Sequence, residues 1–170
     1  IIADWGSKNT PKVPEPNPFQ YANLGYMTAG AMVETAAGEP WESLITRRIF
    51  DALQLKTAGL GPQVTPGRLD AASGHLVDDD GKVTPMPWGP AADVPEVLGP
   101  AGTAHMSIAD FATWAAWNAG MAKRGPALIK PETLAWLHTA RVTMEIANPK
   151  PGTPKSGKYA SGWSILKMDW

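Results

Sequence analysis

The sequence predicts a mainly α fold with a small β component (α+β), and three observations carry that expectation. Apolar residues recur at spacings of three and four from Trp41 to Leu53, the period of a helix with one buried face. Helix boundaries recur along the chain: Asn23 with Gly38, Pro40, Ser107 and Pro131 are residue types that start or stop helices. Strand signals are confined to an Asp80-Gly81 turn and to an alternating stretch near the end.

Taken in order, the stretch from Ile1 to Pro18 turns polar after Trp5, and Pro11, Pro14, Pro16 and Pro18 exclude a helix. A helix is expected from Leu24 to Ala37, with Asn23 as its N-cap and Gly38 just past its end. Its Gly25, Ala29, Gly30 and Ala31 suit close approach of a neighbour more than intrinsic helix stability. Pro40 is expected at the first position of the next helix, which turns Trp41, Leu44, Ile45, Ile49 and Leu53 inward. Arg47 and Asp51 face outward, and this helix carries no functional role.

From Gln54 to Pro100 the chain reads as irregular. Val77 to Val83 forms a hairpin through Asp-Gly, which supplies a positive φ; Pro85, Pro87, Pro90 and Pro95 then break regular structure. Such a run is expected at a functional surface or a packing surface. Ser107-Ile-Ala-Asp110 resembles a capping box opening a third helix through Phe111, Trp114, Ala115 and Asn118 toward Gly125. Trp114 and Trp117 are its core and flank. Pro131 opens a fourth helix through Leu134 and Leu137, Lys150 to Gly157 is a loop, and Tyr159 to Met168 reads as one strand.

Composition bounds the function. A chain of 170 residues, 44% hydrophobic with eight tryptophans, suits one packed domain, residues 1–170, or part of a larger one. The formal net charge of −1 argues against an electrostatic nucleic-acid partner. No window is apolar enough for a membrane span. The absence of cysteine excludes disulfides and thiolate zinc sites. The chain opens at Ile1-Ile2 with neither an initiator Met nor a secretory leader pattern, and stops at Met168-Asp169-Trp170 inside the predicted strand. We therefore expect a segment of a longer polypeptide.

Tyr21-Ala22-Asn23 is the chemically informative stretch. A phenol and a carboxamide two residues apart at a helix mouth can line one pocket if the segment is extended. Taken as three letters, a buried Tyr and a capping Asn explain it equally well. His75 beside Asp78, Asp79 and Asp80 reads as a solvated hairpin tip, because three consecutive acids lack the alternate spacing of a calcium loop. His105 and His138 have no ligand-like companions in sequence, and neither a metal nor a cofactor is expected. Trp88, in the Pro-rich stretch, is a candidate lining residue of a substrate groove.

Three blocks decide between the readings of Tyr21. Phe19, Tyr21, Asn23, Gly25 and Tyr26 precede a small-residue helix and Gly38. Pro100-Ala101-Gly102, Ser107, Asp110, Ala112 and Trp114 follow, and then Tyr159, Gly162 and Trp163. In that order they resemble the serine β-lactamase and penicillin-binding-protein superfamily, in its branch of class C β-lactamases, DD-peptidases and esterases. The resemblance implies the helical domain of a β-lactamase/transpeptidase-like fold (residues 19–140), with a hairpin and a return strand (159–170).

It further implies that Tyr21 relays a proton during acyl transfer and that Asn23 holds the substrate's acyl side chain. It implies a small-molecule or peptide substrate, with a periplasmic or secreted location. The family's Ser-x-x-Lys has no match before Tyr21, since Ser7-Lys8-Asn9-Thr10 does not fit, and no Lys-Thr-Gly or His-x-Gly occurs in the chain. Ser164-Ile-Leu-Lys167 matches in letters but falls after Tyr21 in a predicted strand, where its two ends face apart. Lys56-Thr57-Ala58-Gly59 reads as a turn after a helix end. The chain alone is expected to be inactive and to self-associate through the face that the rest of such a fold would cover. The alternative is a non-catalytic helical module that binds a peptide or partner chain.

Overall fold

The computed structural model describes residues 19–64, 68, 70–86, 94–120, 123–146 and 149–167. The Pro-rich opening as far as Pro18, Trp88, and Met168 to Trp170 lie outside them. The described residues fall into two compact units, one within Asn23–Ala116 and the other comprising residues 19–22 and those from Trp117 onward.

In the first unit, α1 (Asn23–Ala37) ends where Gly38, at φ +70°, donates its amide to Glu34 O at 2.8 Å. The helix begins one residue earlier than its spacing implied, so Asn23 is its first residue and not its cap. Gly30 is buried, and a Cβ built there would lie 2.3 Å from Pro100 Cγ. The small residues of α1 thus bring its backbone against α3 (Gly99–Gly102), which follows a 3-10 turn at Glu96–Leu98. Glu34 Oε1 accepts the Trp41 amide at 2.9 Å and ties the end of α1 to the next helix.

That helix, α2 (Trp41–Ile45), continues as a π-helix over Thr46–Asp51. Pro40, at φ −58° and ψ 144°, precedes the helix and is not its first turn. Leu44 and Leu53 are buried, Trp41, Ile45 and Ile49 half-buried, and Arg47 and Asp51 exposed, as the spacing requires. Phe50, only 4% exposed, was not among the inward positions. The π turn accounts for it: extra residues per turn shift the inward face off the α period.

Leu55 N donates to Phe50 O at 2.8 Å and Gln54 N to Asp51 O at 3.0 Å. This is a Schellman end, with Gln54 at φ +57° in the place usually held by glycine. Gly59 therefore does not terminate the helix. It starts β1 (Gly59–Leu60), which pairs antiparallel with β4 (Ala104–His105) so closely that a Cβ on Gly59 would stand 2.7 Å from His105 Nε2.

Among the described residues no helix lies between Leu55 and Pro95. The hairpin forms as expected: β2 (His75–Val77) pairs with β3 (Val83–Pro85), with Val77 opposite Val83. Gly81 sits at φ +79°, and the Asp78 carboxylate accepts the amides of Asp80 and Lys82 at 3.1 and 2.8 Å.

The start of α4 (Ile108–Ala119) departs from a plain capping box. Ser107 Oγ accepts the Asp110 amide at 3.3 Å, which is half of the motif. The reciprocal bond is replaced by long-range ones. Ser107 N donates to Thr57 Oγ1 at 2.9 Å, and Asp110 Oδ2 accepts both the Thr57 hydroxyl and the Thr57 amide at 2.6 Å. Those two donors, the hydroxyl foremost, with Lys56 adding its charge, hold the Asp110 carboxyl below its ordinary range. The turn at Lys56 and Thr57 is thereby pinned to the mouth of a helix fifty residues away.

In the second unit, Trp117 and Leu134 are core residues at 5% and 1% exposure, and the Trp117 indole donates to Pro126 O at 2.8 Å. Trp114, in the first unit, is only half-buried, so the expected order of core and flank is reversed. The helix α4 ends at Ala119, short of Gly125. The fourth predicted helix is present as α5 (Pro131–Leu137) with Pro131 at its start.

The single C-terminal strand is a correction. Within it only Tyr159, the last residue of β6, and Ser164–Ile165, which form β7, lie in strands, and with β5 they belong to a three-stranded antiparallel sheet ordered β5–β6–β7 (Val142–Glu145, Ser156–Tyr159, Ser164–Ile165). Gly162, at φ +84°, and the bond from Ala160 N to Trp163 O at 2.8 Å turn the chain back. The alternation that suggested one strand lies at and beside β7 alone, the second arm of the hairpin.

Replacing Gly30 by alanine should cost about 1–3 kcal/mol, because a rigid proline ring occupies the space of the new methyl; a chemical-denaturation midpoint unchanged from wild type would contradict the close approach. Asp110 gives a pH signature. Its folded pKa is depressed, so its stabilisation is fully present above the unfolded value of about 3.9 and is lost as pH falls through the folded value. Asp110→Asn should therefore melt below wild type at neutral pH, and the gap should close in acid. A gap that persists at the lowest pH would refute the carboxylate's role.

Candidate active-site segment

Phe19 anchors the segment before α1, its ring packed on Tyr159 of β6 at 4.7 Å between centroids and tilted by 40°. Both rings belong to the second unit. Two residues on, Tyr21 is non-helical and 57% exposed. The reading of Tyr21 as a buried structural tyrosine is thereby overturned. Asn23, also exposed, opens α1, and the boundary between the two units falls between Ala22 and Asn23. The extended Tyr-x-Asn segment expected from the sequence does not run through Asn23, which lies in the helix, while residues 19–22 are non-helical.

The helix mouth has an electrostatic consequence. The first turn of α1 holds no acidic side chain, so the partial positive end of the helix is not offset by the helix's own residues, which favours negative charge nearby. The phenol supplies an exchangeable proton, and the carboxamide one acceptor and two donors.

The other candidates fall into structural places. His75 lies on the hairpin opposite Pro85. His105 Nδ1 bonds Gly61 O at 2.9 Å, beside the β1–β4 pair. His138 meets Trp163 edge-on at 4.8 Å, and its Nε2 is buried without a hydrogen bond among the described residues. Ser164 is paired with Tyr159 in β7, and Lys167 lies two residues past that strand.

Two apolar grooves on the first unit escaped the sequence reading. One, of about 590 Å³, runs between α1 and α2 and includes Ala29, Val33, Ile45 and Arg48. The other, of about 680 Å³, is lined by His105, Met106, Phe111 and Trp114 among others. The Phe111–Trp114 pair, stacked at 5.6 Å, was visible as an i, i+3 spacing but was assigned to packing alone.

Comparison with known proteins places the chain. Its fold is similar to a penicillin-binding protein from Bacillus halodurans (TM-score 0.70, 19% identity), covering 99% of this chain and 47% of that one. It is similar also to the octameric penicillin-binding protein homologue from Pyrococcus abyssi (TM-score 0.67, 20% identity, 88% and 30%). A D-amino acid amidase from Ochrobactrum anthropi SV3 gives TM-score 0.65 at 19% identity, with 96% and 44% covered. An unguisins hydrolase of Aspergillus violaceofuscus is 33% identical over 103 residues, 56% of this chain and 17% of that protein. The chain thus spans less than half the length of each of these relatives. The family profile described as beta-lactamase matches residues 4–165, nearly the whole sequence, and the chain belongs to the beta-lactamase family.

Proposed function

We propose that this chain is part of a serine hydrolase that forms an acyl-serine from a β-lactam, a D-Ala-D-Ala-type peptide or a small ester and releases it to water. One observation carries the reading: an exposed tyrosine stands two residues ahead of Asn23, the first residue of a helix seated by Gly30. Tyr21 relays the proton between the nucleophile and the leaving group, a role in which nearby positive charge favours the phenolate. Asn23 binds the acyl side chain, and Trp88 lines the substrate groove. The relatives named as amidase and hydrolase support a carbonyl substrate.

The 170 residues hold no Ser-x-x-Lys ahead of Tyr21, so the nucleophile and its activating lysine come from other polypeptide, and the chain alone is inert. The open apolar groove beside α1 favours, as a second reading, a non-catalytic module that binds a peptide. The product of the whole reading frame, incubated with a chromogenic cephalosporin, a nitrophenyl ester and a D-amino acid amide, separates the two. The enzyme reading expects turnover with an acyl adduct on a serine outside these residues, and Tyr21→Phe should lower kcat/KM by about 10²–10⁴-fold. Full activity in Tyr21→Phe, or turnover by the isolated chain through one of its own serines, would overturn the assignment.

A further inference from the structure

The hairpin of the first unit has two unlike edges. Asp78 N donates to Lys82 O at 3.1 Å and Met86 N to Gly74 O at 2.9 Å. The register between them pairs His75 with Pro85, Leu76 with Thr84 and Val77 with Val83, and hydrogen-bonded pairs alternate with non-bonded ones. The 75/85 and 77/83 pairs are therefore non-bonded, and their backbone groups point outward from the ladder. On β3 that outer edge is blunted twice: Pro85 has no N–H to offer, and Lys82 immediately precedes the strand. Proline and lysine are residue types that guard a sheet edge against pairing. The outer edge of β2 has neither. It presents the N–H and C=O of His75 and of Val77, none of them bonded among the described residues.

The faces of the hairpin are open as well. Leu76, Val77 and Val83 are 56, 66 and 59% exposed, and a two-stranded hairpin alone is marginal in water and gains from further strands. The open edge is complementary to itself. When two copies of β2 run antiparallel about a two-fold axis at Leu76, His75 of each copy faces Val77 of the other. The two outward N–H groups of each copy then meet the two outward carbonyls of its mate, and Leu76 packs on Leu76 in the closely spaced non-bonded pair. Charge selects this orientation. A parallel pairing would set Asp78, Asp79 and Asp80 of both copies side by side, whereas the antiparallel one sends the acidic tips to opposite ends, each next to the other copy's His75.

We propose that the outer edge of β2 is an interface with a second copy of this chain, joining two hairpins into a four-stranded antiparallel sheet ordered β3–β2–β2–β3. The contact is small for a lasting dimer, so association is weak and concentration-dependent. Leu76→Cys tests it in the product of the whole reading frame, with any cysteine elsewhere in that protein replaced by serine. A non-bonded antiparallel pair sets its two Cα atoms about 4.5 Å apart, within disulfide reach, so mild oxidation should yield a linked dimer. Val83→Cys, similarly exposed but on β3, reports random collision and should stay mainly monomeric. Val77→Pro removes an outward N–H of β2 that β3 does not use; added to Leu76→Cys, it should reduce the dimer to the Val83→Cys level. Val83→Pro, the same change on the blunted strand, should leave the Leu76→Cys dimer intact. Equal crosslinking at positions 76 and 83, or equal responses to the two prolines, would overturn the proposal. So would an uncrosslinked Leu76→Cys protein, the outcome when another segment or another protein holds the edge, or a wild-type protein that sediments as a monomer at every concentration.

Discussion

Much of the first unit depends on how closely α1 can approach Pro100. Gly30 leaves no room for a methyl between the helix backbone and the proline ring, and this contact seats a helix with little to hold it otherwise. The helix has no acidic residue in its first turn and no basic residue in its last. Thr28 and Thr35 bond back to the carbonyls of Leu24 and Ala31 at 2.8 Å, a habit that slightly weakens helices. Helices of this composition are stabilised by tertiary packing more than by propensity. The orientation of α1, and with it the position of Asn23, follows from one glycine and one proline seventy residues apart.

A second constraint is polar. Thr57, Ser107 and Asp110 join the turn after the π-helix to the mouth of α4 through four hydrogen bonds of 2.6–2.9 Å. A local capping motif has been diverted to long-range use: the carboxylate that would have bonded its own helix cap instead collects two donors from Thr57. Charge-assisted bonds of this kind are stronger than neutral ones. They fix the end of the helix whose Gln54 already occupies a left-handed conformation that costs energy for any residue with a Cβ.

Sequence alone determined the family and the local punctuation. Phe19 to Tyr26, the Pro100 and Ser107 blocks and the Tyr159 block are chemical words whose order survives in the text. Gly38, Gly81 and Pro131 act through their own φ angles and missing donors, which need no distant partner. Tertiary structure decided the rest. Phe50 turned inward because the helix widened, and the expected last strand broke at Gly162, whose positive φ turns the chain from the end of β6 back into β7. Asp110 left its own cap because Thr57 offered better donors, and Tyr21 stayed exposed because no described core covers it. In each case the deciding partner lies far along the chain or in a register that pairing sets, and period and propensity contain no information about either.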